Sequence, residues 1–263
     1  MENDIIDSYF SNDYVVIKNF FPQEVISSYI NFIKNALQND VEQVFNHWGA
    51  SVFAKDTNQK VQDLLKDTSN IPINDQQVLL GQFPINIRLS DAIMPVAEFI
   101  GKSSLVQEIL KSQNLYMHMP PMVRFVPPGY SSAAVPAHQD ISYNRHMSNF
   151  VTIWTPMVSI TDVCGGLVMY EGSQHLPEAI TEEKRADSWL PPIDVSDYKR
   201  NQLIGLDVGD IVILSSRIAH ESAANTSDKI RLSMDLRVFG EQETSTKHCI
   251  DLKKMEIIER KAA

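Results

Sequence analysis

The stretch VPAHQDIS, near the middle of the chain, places His138 and Asp140 two positions apart. On an extended strand residues at that spacing project from one face, whereas on a helix they diverge. Pro136 favours extended backbone just upstream, so an imidazole and a carboxylate converge on one point. They supply two of the three ligands of a 2-His-1-carboxylate facial triad, which grips Fe(II) from one side and keeps the opposite positions open. A second histidine completes the set. Of the seven in the chain, His220 is the best placed, because it closes GDIVILSSRIAH, a segment that reads as a strand launched from a Gly209-Asp210 turn. His47, His118, His175 and His248 have no comparable placement and read as surface or hydrogen-bonded core residues. Catalytic zinc centres accept the same donors, so the triad alone leaves iron and zinc both open.

A second constellation lies downstream in DKIRLSMDLRVFG, where Ile230, Leu232, Met234, Leu236 and Val238 alternate with Arg231, Ser233, Asp235 and Arg237. Period two marks a strand with one apolar and one polar face. On an isolated strand the polar face would meet water. Under a layer of helices the assignment reverses: the apolar side chains pack beneath the helices and Arg231 points inward, behind the metal. A guanidinium there suits a planar carboxylate, which it binds as a two-pronged fork while staying charged at any working pH. With that facing Asp235 and Arg237 enter the same cavity, joined by Arg124 from an earlier strand. Each of these also reads as half of a structural ion pair. The run just beyond the metal strand, with Tyr143, Arg145 and His146, is expected to shape a substrate pocket, as are residues 189–202 and the helical part near His47 and Trp48. As a group these side chains favour a polar small molecule.

The elements that must position these residues follow from patterning. A chain of 263 residues with 43% hydrophobic content sustains one large core, and no repeat, low-complexity tract or Gly/Ser linker divides it. One domain over 1–263 is expected, helix-rich in 1–114 and a strand core over about 115–240. Residues 14–20 read as a strand. Pro22 then opens a helix with Ile26, Tyr29, Ile30, Ile33 and Leu37 on one face. Weaker helical patterns occupy 61–65 and 93–100, and Ser103 or Ser104 caps a helix carrying Leu105, Val106, Ile109 and Leu110. From about residue 115 short apolar runs alternate with Gly, Pro, Asn and Asp, the texture of a sandwich or barrel. The fold class is mostly β with added helices: a double-stranded β-helix, the cupin-type jelly roll, with an N-terminal helical layer on one outer face. Twenty-three Lys and Arg against 33 Asp and Glu, net charge -10, argue against nucleic acid or an anionic membrane as partner. The acidic start MENDIIDSYF and the lack of a long apolar run predict a cytoplasmic protein. Two cysteines, Cys164 and Cys249, are too few for a disulfide framework or a zinc cluster.

At this point the sequence resembles the phytanoyl-CoA dioxygenase family of Fe(II)/2-oxoglutarate oxygenases. The likeness runs through FSNDYVVIKNFFPQEVISSYINFI, the HQD motif, VTIWTPMVSITDVCGGLVMYEGSQHL and VGDIVILSSRIAHESAANTSDKIRLSMDLR, with Gln174 inserted before His175 where the family has a GSH-like segment. The resemblance implies iron ligation by His138, Asp140 and His220. It implies that Arg231, eleven positions after His220, binds the distal carboxylate of 2-oxoglutarate, helped by Ser222 two positions after His220, and that Trp154 lines the cosubstrate pocket. The implied reaction uses O2 and 2-oxoglutarate to hydroxylate an unactivated C–H bond of a small polar metabolite or natural-product intermediate, releasing succinate and CO2. Related halogenases carry a small residue where this chain has Asp140, so halogenation is not expected. Desaturation, epimerisation or cyclisation at the same site is one alternative, and a non-catalytic or zinc-binding cupin-like protein is another. Substrate identity and oligomeric state stay open.

Overall fold

The computed structural model describes residues 2–178 and 193–260. Helices come first. Gln23–Ala36 buries Ile26, Tyr29, Ile30 and Ile33, the stripe that a 3.6-residue period puts on one face. It continues through a π turn, Leu37–Val41, into Glu42–His47. The weaker patterns become Thr57–Leu64 and Met94–Gly101. Ser103 caps Ser104–Leu110, its hydroxyl accepting the Val106 N–H at 3.4 Å.

The strands are β1 (Tyr14–Ile17), β2 (Leu115–His118), β3 (Met122–Val126), β4 (Val151–Pro156), β5 (Leu167–Glu171), β6 (Lys199–Gln202), β7 (Ile211–Ser215), β8 (His220–Ser222), β9 (Arg231–Gly240), β10 (Cys249–Asp251) and β11 (Glu256–Ile258). They form two antiparallel sheets. The larger runs β1-β7-β4-β9-β2-β10-β11, with β3 also paired to β9, and the smaller runs β6-β5-β8. The larger sheet therefore takes in residues on both sides of 115–240. Its centre is β9, which pairs with β4 along one edge and with β3 and then β2 along the other.

Alternation along these strands sorts the two faces. Ile153, Ile211, Ile213, Leu232, Met234, Leu236 and Val238 join the helical side chains Ile26, Ile33, Phe45 and Ile100 in the main core. On the other face Trp154, Val212 and Leu214 pack against Leu167 and Met169 of the smaller sheet. The helices thus cover one outer face of a jelly roll, and the polar side of β9 turns into the barrel.

Two local expectations need correction. The segment 209–220 is not one strand ending at His220. Ser215 turns its hydroxyl back to accept the N–H groups of Arg217 and Ile218, at 3.4 and 3.3 Å. That local bond competes with the ladder, so β7 stops and His220 opens β8 in the other sheet. Likewise His138 and Asp140 do not share a continuous strand: His138 forms an isolated bridge to His220, and Asp140 starts a 3-10 turn, Asp140–Tyr143. Gln139 between them is extended (φ -109°, ψ 137°), which keeps the two side chains on one face.

The entry to β7 is held by a buried acid. Gly209 adopts φ +98°, and a Cβ there would lie 2.9 Å from the Phe21 carbonyl, so only glycine fits. Asp210 accepts the N–H of Asn19 at 2.8 Å and of Asp207 at 2.7 Å and pairs with Lys18. Burial favours the neutral acid, but these donors outweigh it and hold its pKa below the ordinary value. Lys18 is 50% exposed, so the backbone donors carry most of the effect. A group whose folded pKa is depressed contributes above its unfolded pKa and loses that contribution as pH falls through the folded value. Asp210→Asn is expected to cost about 1–3 kcal/mol at neutral pH. In urea denaturation the gap to wild type should be full above roughly pH 4 and close on further acidification.

Candidate metal centre

The segment carrying His138 is clipped to β8 of the smaller sheet by a pair of backbone hydrogen bonds. His138 N–H donates to the His220 carbonyl at 3.0 Å, and His220 N–H returns the bond at 2.9 Å. This brings the imidazole centroids to 4.3 Å. Each ring is oriented from behind: Nδ1 of His138 lies 2.8 Å from the Pro136 carbonyl, and Nδ1 of His220 lies 3.1 Å from that of Ile218. A carbonyl only accepts, so each Nδ1 carries the proton and each Nε2 presents a lone pair, the tautomer a metal-binding histidine needs. Asp140 Oδ1 is 3.9 Å from His138 Nε2. The donor atoms of the three residues all fall within 4.8 Å of one another.

The electrostatics suit a cation. Burial, then the neighbouring His220, push the His138 pKa down to about 3, so its ring is neutral at any working pH. Burial pulls Asp140 towards its acid form, but the Arg237 charge and the Thr152 hydroxyl hold it well below the usual carboxylate range. Arg237 Nη2 donates to Asp140 Oδ1 at 2.6 Å, and Thr152 donates to Oδ2.

A cavity with about 800 Å³ of empty space, part of it open to solvent, extends from this trio. Ser222, Trp154, Arg231, Arg124, Tyr143, Asp235 and Arg237 all line it. Arg231 is 1% exposed, yet its Nε and Nη2 have no hydrogen-bond partner among the described residues. Burial lowers its pKa to about 10, so it stays charged. A buried cation with unused donors calls for an anion, and the planar fork matches a carboxylate. The donor set therefore fits ferrous iron at one end and a dicarboxylate anchored at the other.

Other expected residues lie elsewhere. Arg145 and His146 are exposed: Arg145 lines a surface hollow with His175, Glu178 and Arg217, and His146 sits 3.3 Å from the Ser245 hydroxyl, beside His118. Trp48 donates to Asp75 at 2.9 Å and borders a separate hollow with Lys60 and Leu64. Of 189–202, residues 189–192 lie outside the described residues, while 199–202 form the edge strand β6. Two residues escaped sequence reasoning. Thr152 had a usable signal, since it shares the inward face of β4 with Trp154. Lys247 had none: it reaches the cavity from beyond β9, donating to the Tyr143 carbonyl at 3.2 Å and to Asn144 at 2.6 Å.

Comparison with known proteins agrees with this geometry. A family model described as phytanoyl-CoA dioxygenase matches residues 11–233. Two curated relatives are named 1-deoxypentalenic acid 11-beta-hydroxylase. The one from Streptomyces arenae is 27% identical over 130 residues, covering 44% of this chain and 46% of the relative. The one from Streptomyces exfoliatus is 24% identical over 147 residues, covering 51% and 52%. The chain thus spans about half the length of the curated relatives it matches. Among solved structures, the epimerase SnoN in complex with Fe3+, alpha ketoglutarate and nogalamycin RO aligns with TM-score 0.61 at 16% identity, over 93% of this chain and 85% of that one. The carbocyclase SnoK aligns with TM-score 0.56 at 13% identity, over 100% and 94%. At these identities the structural likeness speaks for the fold.

Metal binding to the folded chain alone should stabilise it. Anaerobic Fe(II) or Mn(II) at about 100 times its dissociation constant is expected to add about 2.7 kcal/mol. The rise in melting temperature should vanish in His220→Ala; a variant that keeps it would show that the ion binds elsewhere.

Proposed function

The chain belongs to the phytanoyl-CoA dioxygenase family, and from that premise we propose that it is an Fe(II)- and 2-oxoglutarate-dependent oxygenase hydroxylating a C–H bond of a small polar metabolite. The observation that carries this reading is Arg231: a buried guanidinium with unpartnered donors in the cavity that also holds His138, Asp140 and His220. A zinc-binding or non-catalytic cupin would leave those donors without purpose.

His138, Asp140 and His220 hold the iron through two imidazole Nε2 atoms and one carboxylate. Arg231 grips the distal carboxylate of 2-oxoglutarate, and Ser222, on the same face of β8 as His220, supplies a hydroxyl donor beside it. Trp154, 2% exposed, forms an apolar wall of the pocket and keeps water from that side. When bound, iron and 2-oxoglutarate together activate O2, and the keto acid leaves as succinate and CO2. The chain's own part is to anchor the cosubstrate, hold the target C–H near the metal and exclude solvent. Arg124, Tyr143 and Asp235, which line the cavity, are the side chains assigned to the substrate.

A second reading keeps the same site but turns the oxidation towards epimerisation or ring closure. The folds of SnoN and SnoK, an epimerase and a carbocyclase, favour keeping it. Both readings require 2-oxoglutarate turnover, and product analysis separates them.

Anaerobically iron-loaded protein exposed to oxygen is expected to convert 2-oxoglutarate to succinate, faster with the right metabolite present. Arg231→Ala should weaken 2-oxoglutarate binding by about 2–5 kcal/mol, roughly 30-fold to several thousand-fold. Unchanged 2-oxoglutarate affinity in a folded Arg231→Ala variant would remove the main support for this function.

A further inference from the structure

We propose that Arg237 and Thr152 form a built cradle that fixes Asp140 as a one-oxygen metal ligand, making Arg237 a positioning residue of the metal centre. This rests on reading His138, Asp140 and His220 as the ligands. Asp140 is 1% exposed, and each of its oxygens already has a protein donor. Arg237 Nη2 donates to Oδ1 at 2.6 Å, and the Thr152 hydroxyl donates to Oδ2. The two donors are not independent: Thr152 and Arg237 are register partners on β4 and β9, so one rung of the central ladder presents both.

The consequence lies in the lone pairs. Oδ1, the oxygen 3.9 Å from His138 Nε2, accepts one bond from Arg237 and keeps a second lone-pair direction for a cation. Oδ2 is tied to Thr152. For both oxygens to face the ion, the carboxylate would have to turn and leave the Thr152 hydroxyl buried without its acceptor. The Thr152 bond thus weights ligation towards Oδ1, and an ion held by one oxygen of Asp140 and two imidazoles would keep positions open for a chelating keto acid and a third small molecule.

Charge alone predicts the opposite of positioning. A guanidinium beside the ligand carboxylate repels a divalent cation, so removing it should tighten metal binding on Coulomb's law. Loss of the cradle should weaken it, as loss of outer-shell partners does elsewhere, by about 10- to 100-fold.

The deciding experiment titrates the full-length protein with Mn(II), a redox-inert probe, following free Mn(II) by electron paramagnetic resonance without keto acid or oxygen. Arg237→Gln should bind Mn(II) about 10- to 100-fold more weakly than wild type, with Arg237→Lys between the two. Thr152→Val should lower the affinity of the Mn(II)-loaded protein for 2-oxoglutarate, because the released oxygen then occupies a position the chelate needs. Equal or tighter Mn(II) binding by folded Arg237→Gln overturns the inference alone, whereas a wild-type protein that binds no Mn(II) overturns the metal centre together with it. Should Arg237→Gln fail to fold, Thr152→Val, the smaller change on the same carboxylate, decides by its keto-acid affinity: a loss supports the cradle and no change sinks it.

Discussion

Two reciprocal hydrogen bonds between the main chains of His138 and His220 hold this molecule's chemistry in place. They are the point at which a segment belonging to neither sheet is clipped to β8, and they act on backbone atoms, so the imidazoles remain at liberty to face the cavity. Because each ring is also tethered at Nδ1, the only freedom left to either Nε2 is a small rotation. Local chain folding assists: the Ser215 turn that ends β7 carries the chain from the larger sheet to the smaller within a few residues. A change in that turn would move His220 along its strand and flip its side chain away, since side-chain facing has a period of two.

The surrounding charge follows from burial. The chain carries a net charge of -10, yet Arg124, Arg231, Arg237 and Lys247 are collected on one cavity. Burial lowers the Arg124 and Arg231 pKa values to about 9 and 10, which still leaves both charged at neutral pH. Asp235, whose pKa is raised chiefly by burial and only partly offset by the arginines around it, is a weaker acid than Asp140, which lines the same cavity. A low-dielectric pocket lined this way draws anions from an otherwise repelling surface. That is a suitable entrance for a dicarboxylate, and no helix among the described residues is long and apolar enough to cross a membrane.

Much of the design was legible one residue at a time. Period-two alternation in 230–238 assigned the faces of β9, and the inward side of that strand does carry Arg231, Asp235 and Arg237 to the cavity. The i, i+2 spacing of His138 and Asp140 put both on one face even though the strand expected there is a bridge followed by a turn. What misled was reach. Arg145 and His146 stand within six positions of Asp140, but the turn after Tyr143 swings them outward to the surface. Arg237 read either as a substrate contact or as half of a structural ion pair, and in the fold its first partner is the carboxylate of Asp140.

The sequence by itself determined residue chemistry and local facing: which side chains donate, accept or carry charge, and which neighbours along one strand share a side. These follow from backbone periodicities that act over a few residues. Only the tertiary structure decided which distant strands became neighbours, and hence that Thr152 on β4 stands opposite Arg237 on β9 behind Asp140, or that Lys247 closes over Asn144. Register between strands is chosen by the whole packed core, a collective minimum to which the main cluster of side chains contributes at once. No short window of sequence contains it.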